Sequence, residues 1–106
     1  MIKKEDIELA EKKFNALSPV FVALGDKFRQ KIILEIANAG EQGISVQELS
    51  GKSILSRPAV SHHLKVLKDS GILEPTKKGT QIFYRLKLKE AFIQVKDFLQ
   101  TIEPLI

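Results

Sequence analysis

The segment "LSRPAVSHHLKVLKDSGIL", Leu55 to Leu73, sets His62 beside His63 in a chain with no other histidine. Imidazoles bind metals and move protons near neutral pH. On a helix, however, a single ion is chelated by histidines four positions apart, and adjacent residues point ~100° away from each other. There is no cysteine, so any further ligand would have to be a carboxylate. No serine or acid stands at a spacing that would make a nucleophile and base of these rings. The sequence therefore assigns no metal site, no cofactor and no catalytic residue, and the chain is not expected to be an enzyme.

The same segment has the periodicity of an amphipathic helix from Arg57 to about Ser70. Ser56 is the N-cap and Gly71 the stop. Val60, His63, Leu64 and Leu67 follow the i, i+3, i+4, i+7 spacing of an inner stripe. Pro58, Ser61, His62 and Lys65 share one ~100° arc on the opposite side, with Arg57 at its flank. That arc holds short side chains, donors, acceptors and cations, and its one acid is the distal Asp69. A helix entering a DNA major groove needs such a face. His62 is expected on it. His63 is expected to be packed or half-buried, with a ring nitrogen hydrogen-bonded locally.

Charge is distributed unevenly. The net charge is +4. Residues 52–89 carry nine basic and two acidic side chains, and the segments on either side are net acidic. A third of the chain with more than the whole net charge is the footprint of a polyanion binder. The remaining composition, 43% apolar and 28% charged over 106 residues, suits one folded domain with one core. The lack of cysteine fits a reducing cytoplasm and rules out disulfides and thiol switching. "MIKKEDIELAEKK" has no apolar core of a secretion signal, and "PVFVALG" is too short to span a bilayer.

Other elements follow from local pattern. Ile7, Ala10, Phe14 and Leu17 form a helical stripe between Asp6 and Leu17, and Pro19 starts a separate short helical turn through Leu24. Asp26 caps a helix carrying Phe28, Ile32, Ile33 and Ile36, which stops at Gly40. "SVQE" is a capping box, with Ser45 bonding the third amide and Glu48 reaching back. It opens a short helix with Val46 and Leu49 inside. Ile72–Thr76 and a strand around Ile82–Leu86 flank a turn at Gly79, and Pro75 marks an edge strand. Phe92, Val95, Leu99 and Ile102 make a last helical stripe, with Ala91 and Phe98 beside it, and Pro104 ends the helix. The fold class is mostly α with a small β-hairpin, in the order α-α-α-α-α-β-β-α, where the fourth and fifth helices form a helix-turn-helix. A helix-turn-helix followed by a hairpin is the winged-helix arrangement.

Three blocks resemble the ArsR-type (arsenic-repressor-like) winged-helix transcriptional regulators. They are "ALGDKFRQKIIL" (Ala23–Leu34), the segment with Ser-x-His-Leu-x-x-Leu before a glycine, and "KKGTQIFYRL" at the wing. Together they span residues 23–86, in register. The resemblance implies a repressor that binds double-stranded DNA as a homodimer. It does not bring metal sensing. Sensing members use cysteines near the first motif helix or Asp and His on the last helix, and "ISVQELS" and "LKEAFIQVKDFLQ" contain neither cysteine nor histidine. The motif turn also has Ile54 where glycine is common in the family.

The residues expected at DNA are Ser56, Arg57, Pro58, Ser61, His62, Lys65, Lys77, Lys78 and Thr80. Those expected at a dimer seam between the terminal helices (about 5–17 and 88–103) are Ile7, Ala10, Phe14, Leu17, Phe92, Val95, Leu99 and Ile102. The alternative from another class is a winged-helix module that docks an acidic protein through its basic face. An RNA role is weaker, because A-form major grooves exclude helices. "GKS" at Gly51–Ser53 is no phosphate loop, since the glycine required five residues earlier is Val46.

Overall fold

The computed structural model describes all residues, Met1 to Ile106. Its elements are α1 (Lys4–Leu24), α2 (Lys27–Ala39), β1 (Ile44–Ser45), α3 (Val46–Lys52), α4 (Arg57–Asp69), β2 (Leu73–Lys78), β3 (Gln81–Leu86) and α5 (Leu88–Ile102), with a 3-10 turn at Glu103–Leu105. The strands form one antiparallel sheet in the order β1-β3-β2. This is a winged helix-turn-helix. No helix is long and apolar enough to cross a membrane.

The expected caps are present. Asp26 accepts from the amides of Phe28 and Arg29 at 2.8 and 3.0 Å. Ser45 accepts from Glu48 N–H at 3.1 Å, but the glutamate does not reach the Ser45 amide of a full capping box. Its carboxylate instead receives the Ser45 hydroxyl at 3.4 Å, because the Ser45 backbone belongs to β1. Ser56 accepts from Ala59 N–H at 3.3 Å, and Pro58 occupies the first turn of α4, where its missing donor costs nothing. At the other end Ile72 N–H reaches Leu67 C=O and Gly71 N–H reaches Lys68 C=O, both at 3.0 Å. That is a Schellman ending, and it needs the positive φ of 86° at Gly71.

Further expectations are corrected. Pro19 does not start a new helix but lies inside α1, which runs unbroken to Leu24. Asn15 and Pro19 are both exposed, so water can satisfy the carbonyl that the proline leaves without a donor. Packing holds the two halves in line. Phe14 before the proline and Phe21 after it both meet Phe98 of α5, at 4.4 and 5.6 Å between ring centroids. The second correction is β1, a strand of two residues that no periodicity could announce. Gly43 makes it possible. Its φ is 76°, and a Cβ there would sit 2.6 Å from the Tyr84 carbonyl oxygen, so only glycine lets the chain pass this close to β3. The hairpin is also longer than expected, with β2 reaching Lys78.

One core joins all layers. Leu17, Val20 and Ala23 of α1, Ile32 and Ile36 of α2, Leu49 of α3, and Val60, Leu64 and Leu67 of α4 form it together with Ile44, Ile72, Leu73 and Phe98. Val60, Leu64 and Leu67 are at most 1% exposed, and each contributes roughly 1.5–3 kcal/mol by burial. This seats α4 on the core by one face and leaves the opposite face free.

Candidate nucleic-acid interface

The free face of α4 is the one the helical phase indicates. Arg57, Pro58, Ser61, His62 and Lys65 are all exposed, and Ser56 stands at its N-terminal edge with its hydroxyl engaged in capping. The acid on this helix is partnered. Asp69 accepts from Lys65 Nζ at 2.7 Å, and this hydrogen bond holds the Asp69 carboxyl below its usual range and raises the Lys65 ammonium. The face thus presents Arg57 as a free cation, His62 as a donor and acceptor, and Lys65 as a cation that must exchange Asp69 for any new anion.

The hairpin brings the second group of residues. Lys77, Lys78 and Thr80 are exposed around the turn at Gly79. Lys77 has no ion-pair or hydrogen-bond partner. Lys78 is held: its ammonium donates to the Gln42 carbonyl at 3.3 Å and lies 4.8 Å from the Phe83 ring centroid. Between hairpin and helix lies a cleft of about 330 Å³ that gathers Arg57 and Ser61 from α4, Gln47 from α3 and Thr80 and Gln81 from the hairpin. Gln81 Nε2 donates to Gln47 Oε1 at 3.4 Å, bridging hairpin and α3. Neither glutamine stood out in the sequence. Their signal is positional, one at the start of α3 and one just after the hairpin turn.

The two histidines differ as their phase demands. His62 is exposed and makes no hydrogen bond. His63 is half-buried, its ring nearly parallel to that of Phe28 with centroids 6.3 Å apart. Its hydrogen bond is not local, however. Nδ1 meets Arg29 Nη1 of α2 at 3.1 Å, across 34 residues of sequence. The ring centroids of the pair are 5.8 Å apart and tilted, and no group of three or more His, Asp or Glu side chains is placed to hold a metal ion.

Residues 25–74, from the cap of α2 to the start of the wing, match a family model described as winged helix-turn-helix DNA-binding. An arsenic resistance transcriptional regulator of Pseudomonas putida is 42% identical over 67 residues, 63% of this chain and 51% of that protein. The biofilm growth-associated repressor of Xylella fastidiosa is 32% identical over 99 residues, covering 93% of this chain and 81% of that one. A solved ArsR-like transcriptional regulator from a Rhodococcus species superposes with a TM-score of 0.72 at 30% identity, over 82% of this chain and 77% of that chain. The chain belongs to the ArsR-type winged helix-turn-helix regulators. It spans about half the length of the Pseudomonas regulator. In ArsR-type terms α4 is the recognition helix and β2–β3 is the wing. Neither α3 nor α5 of this ArsR-type chain contains a cysteine or histidine.

Proposed function

We propose that this protein is a transcriptional repressor, without enzymatic activity, that binds an inverted-repeat operator in double-stranded DNA as a homodimer in the cytoplasm. One observation carries the reading. The outer face of α4 and the wing meet at one cleft through Arg57, Ser61 and Thr80, and His62 and Lys77 are exposed on the same two elements. Side chains of this kind suit base edges on the helix and phosphates at the wing. Docking to an acidic protein has no observation of its own in its favour.

Surface area supports the dimer. A folded monomer of this length exposes about 6,000 Å², whereas this chain exposes 7411 Å². The excess is larger than the ~800 Å² each partner covers in a standard interface. The terminal helices supply apolar area, since Ile7, Phe14, Phe92 and Leu99 are all about half or more exposed. The seam proposed from sequence is divided by the fold. Ala10 and Leu17 are already buried within the chain, and Val95 and Ile102 are half-buried against its core. Ile93, missed by the 3-4-3 pattern, joins the exposed set.

The purified protein, given random or genomic DNA fragments, should select an inverted repeat whose half-sites are centred about 34 Å, one turn of DNA, apart. Enrichment of no sequence, or of single-stranded RNA instead, would defeat the proposal. No metal dependence of that binding is expected. A stoichiometric ion that abolishes it at low micromolar concentration would reverse this.

A further inference from the structure

Arg29 lies outside the DNA-facing surface, yet it has the densest set of polar contacts in the protein. Its Nε donates to the Ala23 carbonyl at 2.9 Å and its Nη2 to the Val22 carbonyl at 3.1 Å. Its main-chain N–H donates to Asp26 Oδ1 at 3.0 Å. The remaining arm, Nη1, points at His63 Nδ1 at 3.1 Å. A guanidinium can only donate. Nδ1 must therefore accept, and the ring proton of His63 resides on Nε2. One side chain thus ties the last turn of α1 and the start of α2 to the middle of α4.

We propose that Arg29 is a positioning residue for DNA reading, which holds the recognition helix through the unprotonated ring of His63 and releases it when that ring takes up a proton. This rests on α4 being the DNA-reading helix. Protonation would set two N–H donors and two positive charges against each other across 3.1 Å. The ring would have to turn away, and Arg29 would keep only its carbonyls on α1. Of the other groups facing His63, only Asp26 is a charged acceptor, and only its Oδ1 is engaged, by two amides. Phe28 offers a ring face, and His62 is another imidazole. Because α1 also carries part of the proposed dimer seam, the tie links the seam to the reading helix, so its loss alters the placing of α4 relative to its partner copy.

The full-length dimer tests this with three variants. In His63→Asn, Oδ1 occupies the position of Nδ1 and cannot titrate. Arg29→Gln removes the fork, and His62→Asn controls for the neighbouring ring. Amide hydrogen exchange in α4, corrected for intrinsic rates, should lose protection in the wild type as the solution is acidified from pH 7.5. His63→Asn should stay protected throughout, His62→Asn should behave as wild type, and Arg29→Gln should resemble the acidified wild type already at pH 7.5. Affinity for the selected duplex should follow, weakening about tenfold, the loss of one charge-assisted hydrogen bond, with less change on a scrambled duplex. Nitrogen NMR of the wild-type ring should find no proton on Nδ1 at pH 7.5, which needs no variant to fold. A proton there, or identical α4 exchange profiles for wild type and His63→Asn, would overturn the proposal. Failure of the wild type to bind any DNA would instead remove the DNA-reading role of α4, while the exchange data still decide the tie.

Discussion

The two ends of this molecule handle apolar surface in opposite ways. At the helix-turn-helix end α4 buries Val60, Leu64 and Leu67 within the chain and exposes mainly polar and charged groups. At the other end α1 and α5 bury one side against each other, through Phe14, Phe98 and the Lys13–Asp97 pair at 2.7 Å, and leave Phe92, Ile93 and Leu99 in water. The chain is accordingly elongated, 56 Å by 24 Å by 19 Å. The first end is finished by its own sequence. The second end is left unfinished by its own sequence, and its large unburied side chains are the apolar area that the proposed dimer would cover.

The strongest way to break this contrast is at the unfinished end. Phe92→Glu with Leu99→Glu changes exposed residues, so each chain should still fold. Sedimentation should then find monomers, with operator affinity down roughly a hundredfold or more as the avidity of two linked recognition helices is lost. Dimers that survive the double change would place the seam elsewhere. The finished end is probed by its histidines. His62→Ala should cost about 1–3 kcal/mol at a cognate half-site and relax base preference there, with little change in melting temperature. His63→Ala should lower the melting temperature, because it strands an arm of Arg29 and opens space beside Phe28. Anisotropy and thermal melts run together would expose an exchange of these roles.

The wing should respond more weakly and without sequence choice. Lys77→Ala in a dimer removes two free cations, so the log–log salt slope of DNA binding should fall by up to about 2 units. Lys78→Ala should change it less, since that ammonium is held by Gln42 and Phe83. Equal effects would mean that Lys78 leaves these partners for phosphate. The smallest effect concerns acid stability. The Arg29 N–H, opposed by desolvation but helped by the Arg29 charge and the Phe28 N–H, holds the Asp26 carboxyl below its usual range. A lowered native value stabilises the fold above the normal carboxylate range, and that gain is lost as pH falls through the native value. Melting temperature against pH should therefore fall less steeply on the acid side for Asp26→Asn, which keeps a cap but cannot titrate.

What was legible in the sequence follows the same division. Caps at Asp26, Ser45 and Ser56, the stop at Gly71 and the stripe of Val60, Leu64 and Leu67 are local signals with local causes, and they placed the motif and its outer face within a residue or so. The signals failed where distant residues decide. Pro19 reads as a break until Phe98 of α5 is known to bridge it. β1 exists only because β3 is there to pair with it. The α5 pattern left its core side open, with Ala91 and Phe98 buried and Phe92 and Leu99 exposed, because a pattern of apolar residues wide enough for two contacts does not say which faces its own core. The Arg29–His63 bond joins helices that no spacing rule connects.

Pro75 has a consequence for how this protein behaves at high concentration. It lies in the middle of β2, opposite Tyr84, on a strand that forms one border of the sheet. An exposed border strand normally offers a row of amides to any passing strand and so seeds edge-to-edge aggregation. Here the proline removes a donor from that row, and the lysines at Lys77 and Lys78 add mutual repulsion between copies. On the far border β1 already pairs with part of β3, at Tyr84 and Phe83. Recruitment of copies through the sheet is thus discouraged, which leaves self-association to the proposed seam at the helical end, where a two-fold contact would close on itself instead of growing into a fibre.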